Sequence, residues 1–110
     1  MSSLTPKLLY IGNAQSGNIY TASATTGSYT IIKSINVCNT SNSPQEFSLN
    51  LITPGGTANN ASVIVGNIAM AASVVFVYET SIVMPEGSAI YVSQGSTDLT
   101  FTISGVEYVV

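Results

Sequence analysis

Period-two alternation of apolar and polar residues, broken at intervals of roughly ten residues by Gly, Pro, Asn and Ser clusters, most narrows what this chain can fold into. No stretch of ten or more residues keeps the spacing of an amphipathic helix. Gln45–Ile52 shows the pattern at its cleanest, with Phe47, Leu49 and Leu51 on one side and Glu46, Ser48 and Asn50 on the other. That is the signature of an antiparallel strand with one wetted face. Tyr29–Cys38 reads the same way, with Tyr29, Ile31, Ile35 and Val37 inward and Thr30, Ser34 and Asn36 outward. Lys33 interrupts the apolar side and marks a rim.

Further strands are expected at Lys7–Ile11, Asn18–Ala22, Ala61–Val65, Ser73–Tyr78, Ala89–Ser93, Leu99–Ile103 and Val106–Val110. A polar turn at Gly12–Gly17 separates the first two. Ile82–Gly87 reads as a short extended piece ending in a turn, where Pro85 presets φ and Gly87 permits a left-handed residue. Asn39–Pro44 and Pro54-Gly55-Gly56 are loop tips, Gln94–Asp98 is a hairpin loop, and Ser104-Gly105 separates the last two strands. Met70-Ala71-Ala72 is the one place for a helical turn. Eight or nine short strands, no repeat and no linker predict a single domain over 1–110, an all-β antiparallel β-sandwich of jelly-roll or immunoglobulin-like type. A hydrophobic fraction of 45% is enough for a packed core.

Polarity here is almost uncharged. Two lysines and five acids are the whole ionisable set besides tyrosine and cysteine, with no histidine and no arginine. Neutral hydroxyls and amides cost little to desolvate once they find a partner, so such a surface is suited to packing against neighbours. A formal net charge of −3 removes the attraction on which nucleic-acid binding depends and disfavours anionic membranes. No nucleic acid and no membrane are therefore expected as partners. The start of the chain lacks the pattern of a secretory signal, and no apolar run spans a bilayer, which points to synthesis in a cytoplasm.

Catalytic chemistry finds no footing. Serine or cysteine nucleophiles need an imidazole, which is absent. Lys7 and Lys33 have no nucleophile arranged beside them. Glu46, Glu79, Glu86, Asp98 and Glu107 form possible carboxylate pairs, but nothing selects one for glycoside hydrolysis. Asp98 and Glu86 stand alone in their turns, short of a calcium loop. Cys38 is the single cysteine, so neither an intrachain disulfide nor a cysteine-histidine zinc site is expected; its place in an alternating run reads as a small buried hydrophobe, with an intermolecular disulfide as the alternative. Catalytic, cofactor-binding and metal residues are accordingly all expected to be none, and the chain is expected not to be an enzyme. Asn39-Thr40-Ser41 and Asn60-Ala61-Ser62 match the glycosylation acceptor pattern by chance. The glycines of Gly55-Gly56 serve a turn, since no helix follows them to hold a phosphate.

Tyr29, Tyr78 and Tyr108 fall in phase with inward positions, whereas Tyr91 points outward. Val106-Glu107-Tyr108-Val109-Val110 is apolar to its last residue. With so little charge to protect sheet edges, the edges and this C-terminal strand are expected to be covered by neighbouring subunits.

Val37–Thr40, Ile52–Thr57, Met84–Val92 and Phe101–Glu107 together resemble small all-β virion proteins of tailed bacteriophages. In those, a strand with an Asn-Thr pair leads to a second strand and a Pro/Gly-rich loop, and a late Gly turn precedes the last hairpin. The resemblance runs from Tyr29 to the end. It implies a structural virion protein, a capsid decoration subunit first and a tail or head-fibre component second. Its partners would be the major capsid protein or tail proteins and further copies of itself, with assembly in the host cytoplasm. A lectin-like glycan-binding module using Asn39–Pro44 or Pro54–Asn60, and a carboxylate-only hydrolase, are the rival readings.

Overall fold

A computed structural model describes residues 3–14, 16–57, 62–93 and 96–110. Eight strands account for most of them: β1 (Ser3–Ala14), β2 (Gly17–Thr21), β3 (Tyr29–Asn39), β4 (Gln45–Ile52), β5 (Val63–Met70), β6 (Val75–Pro85), β7 (Ala89–Ser93) and β8 (Ser96–Val109). There is no α-helix among the described residues. The strands form two four-stranded sheets, ordered β1-β8-β3-β6 and β2-β7-β4-β5, and every pairing is antiparallel. Successive strands cross from one sheet to the other except at the β4–β5 hairpin. This is the jelly-roll order, and it settles the choice that the sequence left between jelly-roll and immunoglobulin-like sandwiches.

The sheets bury Ile32, Ile35, Val37, Phe47, Leu49, Met84, Ile90, Val92, Leu99, Phe101 and Ile103 between them. Phe47 is central, meeting Phe101 edge-on at 5.5 Å and Phe76 at 5.7 Å, the offset geometry that aromatic quadrupoles favour. Alternation places the Phe47 and Leu49 side chains inward, as read from the sequence.

Four sequence expectations change. Leu99–Ile103 and Val106–Val110 are one strand, because Gly105 makes no turn. A Cβ on Gly105 would run into the carbonyl oxygen of Ile31 on the adjacent strand, so this glycine serves close backbone approach inside the sheet. The C-terminal strand is consequently an inner strand, flanked by β1 and β3, and needs no neighbouring subunit to cover its edge. Ser73–Tyr78 and Ile82–Gly87 likewise join into β6, which ends in the foreseen turn at Pro85, with Gly87 at φ 74° and the Ser88 N–H donating to the Pro85 carbonyl at 3.1 Å. Met70 ends β5 in a strand conformation, and the following turn is closed by Ser73 at φ 61° without a helix. Finally, β7 and β8 belong to opposite sheets, so they do not pair as a hairpin; Gln94 and Gly95 of the expected loop lie outside the described residues, as do Asn60 and Ala61.

Candidate interaction surface

Residues paired across neighbouring strands share a face, so the register defines what each sheet shows to solvent. On the outer side of β1-β8-β3-β6 the first row is Leu4, Tyr108, Tyr29 and Pro85, and the second is Pro6, Val106, Ile31 and Val83. Both rows are apolar or aromatic across all four strands. A third row holds Leu8, Ser104, Ser34 and Glu79, a fourth Ile11, Thr102, Asn36 and Val77, and a fifth Asn13, Thr100, Cys38 and Val75. Here the middle strands are polar and apolar side chains keep to the edges. Leu4 at 60%, Ile11 at 64% and Val83 at 58% exposure show how open these positions are. Scattered exposed aliphatics need no explanation, but two unbroken apolar rows across a sheet do.

The cause is a pair of register shifts. Between Ile32 and Ser34, β3 slips against both β6 and β8, and β1 slips between Leu8 and Tyr10. A bulge changes the phase of every residue beyond it. Ile35 and Val37 therefore point into the core, while Tyr29 and Ile31 point out. Tyr29 and Tyr108 are corrected accordingly: they stack on the outer face with ring centroids 4.9 Å apart. Tyr78 does pack against the core. Lys33 sits within the bulge, exposed, and its ammonium donates to Ser81 Oγ at 2.7 Å.

Inward at the same end of the sandwich lies a polar plug. Lys7 and Glu107, both on the inner side of their strands, form an ion pair at 3.1 Å. The other Glu107 oxygen accepts from the Tyr20 hydroxyl at 3.1 Å, and Tyr20 also bonds the buried Thr30 hydroxyl at 3.0 Å. Burial lifts the Tyr20 phenol above its ordinary value; the Thr30 bond pulls it down, and the Glu107 carboxylate pushes it further up. This plug seals the end where the core side chains stop. Each member bonds another within the chain.

The outer face of β2-β7-β4-β5 is of another kind. Asn18, Tyr91 and Asn50 form one of its rows, and Ser48 pairs with Ser93 in another. Tyr91 thus points outward, in agreement with its phase. Asn50 is buried and donates to Ser62 Oγ at 2.9 Å, and Ser48 Oγ accepts from the Asn67 backbone at 2.8 Å. The two buried polar side chains of this face, Ser48 and Asn50, are engaged within the chain.

The loops weighed as glycan contacts lie at opposite ends of β4, so they form no joint site. Asn39 is fully buried and its amide donates to the carbonyls of Ser43, Met70 and Ala71, while its oxygen accepts from the Ser41 N–H and hydroxyl. It ties the β3–β4 connection to the β5–β6 turn and is closed to glycan attachment in the folded state. Glu86 accepts from the Gly27 N–H at 2.6 Å, fixing another turn. Glu46 and Glu79 are exposed on opposite sheets. Among the described residues, no three acidic, histidine or cysteine side chains gather where a metal ion could sit. Cys38 is half-buried on the outer face and does not belong to the core, contrary to the sequence reading.

Neither a family model nor a curated protein matches the sequence. Among solved structures, the chain is similar to a chain in the structure of infectious bursal disease virus, Gx strain, at 14% identity and a TM-score of 0.46. The alignment covers 97% of this chain and 31% of that one, so the chain spans about a third of the other's length.

Proposed function

We propose that the protein is a structural virion subunit, a decoration protein on the head of a tailed bacteriophage, which works by docking the outer face of its β1-β8-β3-β6 sheet against neighbouring chains. The observation that carries this reading is the pair of apolar rows left open to water across all four strands. Each Å² of apolar area removed from water contributes about 25 cal/mol before the costs of association. A subunit that gains this free energy only when docked reinforces whatever it bridges. The likeness of Val37–Thr40, Ile52–Thr57, Met84–Val92 and Phe101–Glu107 to small phage virion proteins supports the choice of a particle as the assembly. A surface with so few charges supports dense packing there.

The test is thermal. Particles that carry the protein should release their DNA at a higher temperature than particles from which it has been deleted, and adding back the purified chain should restore the difference. Equal release temperatures would remove the reinforcing role.

A further inference from the structure

We propose that the chain forms a two-fold dimer in which the outer faces of two β1-β8-β3-β6 sheets pack on each other with the symmetry axis lying in the interface, parallel to the strands. This deepens the reading above, with which it shares the premise that the face is covered in the working state, and it names the occupant as a second copy.

Size is the first argument. Four strands about 4.8 Å apart and five outward rows about 6.7 Å apart cover roughly 19 by 33 Å, about 600 Å² in projection. Specific stable interfaces bury about 1,200–2,000 Å² in total, or about 600 Å² and upward on each side. The face is large enough when all of it is used.

Pattern is the second argument, and it chooses the axis. A face-to-face pair of identical sheets is related by a two-fold axis in the interface, and when the strands of the two sheets are kept roughly aligned, as in most sandwiches, that axis runs close to the strand direction or close to the perpendicular. An axis across the strands lays the first row on the fifth, setting Tyr108 against the partner's Thr100 and Leu4 against the partner's Asn13. An axis along the strands lays each row on its own reverse. Tyr108 then meets the partner's Tyr29, Leu4 meets the partner's Pro85, and the second row closes entirely on apolar side chains. Polar centres also meet polar centres in the lower rows. Two mismatches remain, Leu8 against the partner's Glu79 and Asn13 against the partner's Val75, both at the sheet edges where the polar groups still reach water.

Charge is the third argument. Glu79 is the one charged residue in the five rows, and Lys33 beside them offsets it, so two copies of this face meet with little repulsion.

Sedimentation of the purified full chain over a concentration series tests the proposal. A monomer–dimer equilibrium is expected. Val83→Glu, on an exposed edge position, should raise the dissociation constant at least about tenfold while leaving the circular dichroism spectrum and melting intact; Leu4→Glu serves the same purpose should that variant melt early. Leu8→Lys should tighten the dimer by several-fold, because the new ammonium faces the partner's Glu79, and the gain should vanish with Glu79→Gln. A folded monomer at every concentration, or a dimer indifferent to both glutamate variants, overturns the proposal; a dimer weakened by Leu8→Lys overturns the axis. Dimerisation in solution and presence on particles are separate readouts. A dimer missing from particles would sink the virion reading alone, and a folded monomer found on particles would sink this one alone.

Discussion

The two outer faces of the sandwich follow the same alternation, on strands of 5–8 residues in β2-β7-β4-β5 and of 11–14 in β1-β8-β3-β6, yet they show different chemistry to water. On β2-β7-β4-β5 the outward positions carry Ser48, Asn50, Asn18 and Ser93, with Tyr91 and Val63 the apolar or aromatic ones in these rows, and the buried polar ones bond within the chain. On β1-β8-β3-β6 the outward positions at one end carry eight apolar or aromatic side chains, exposed on the edge strands and half-buried on the middle two. Folding alone accounts for the first face. The second gains its free energy only from a neighbour, so the contrast separates what makes this molecule a domain from what makes it a component.

The largest expected effect comes from filling the close approach of β8 to β3 beside the Ile32–Ser34 bulge. Gly105→Ala forces a methyl group onto the Ile31 carbonyl and should cost about 3 kcal/mol or more in chemical denaturation, or prevent folding. A near-neutral result would mean that the β3–β8 approach is looser than described. Next come matched substitutions on the two faces. Ser48→Ala leaves the Asn67 N–H without its acceptor and should lose about 1–3 kcal/mol of monomer stability. Val83→Thr on the open face should shift monomer stability by no more than about 0.5 kcal/mol while weakening association. Equal losses on the two faces would erase the contrast.

The smallest effect lies between the faces. Because burial raises the Tyr20 pKa above its unfolded value of 10.0, the folded state holds that proton more tightly than the unfolded chain. The stability this confers is complete below about pH 10 and is lost as pH rises through the folded-state pKa. Ultraviolet titration of the tyrosines should show a late-ionising phenol that Tyr20→Phe removes. A Tyr20→Phe chain with an unchanged tyrosine titration would place the delayed proton elsewhere.

The class of fold was legible because alternation is a direct print of a half-buried strand. Gln45–Ile52 and Ala89–Ser93 were bounded to the residue, each having turn residues on both sides and the bulged residues of their ladders falling on the partner strands. Gly105 misled, because a glycine needed for close approach of two backbones looks in sequence like a glycine needed for a turn. The phase of Tyr29 and Ile31 misled for a related reason: alternation was carried straight through Lys33, where the chain inserts a residue. A charge in the apolar phase of an otherwise regular strand was the available signal of a bulge. With the phase broken there, Tyr29 and Ile31 would have been found facing out, and with alternation carried from Phe101 and Ile103 through Gly105, so would Val106 and Tyr108. Strand order was beyond reach, since alternation says which side of a sheet a residue occupies and not which strand lies beside it.

The Tyr29–Tyr108 stack has a practical consequence. With no tryptophan in the chain to dominate its emission, the intrinsic fluorescence belongs to the phenols, and two of the six sit side by side in the outermost row of the open sheet. Docking anything on that row changes their solvation and their optical signal, so the molecule carries an unlabelled reporter at the place where its association is to be watched.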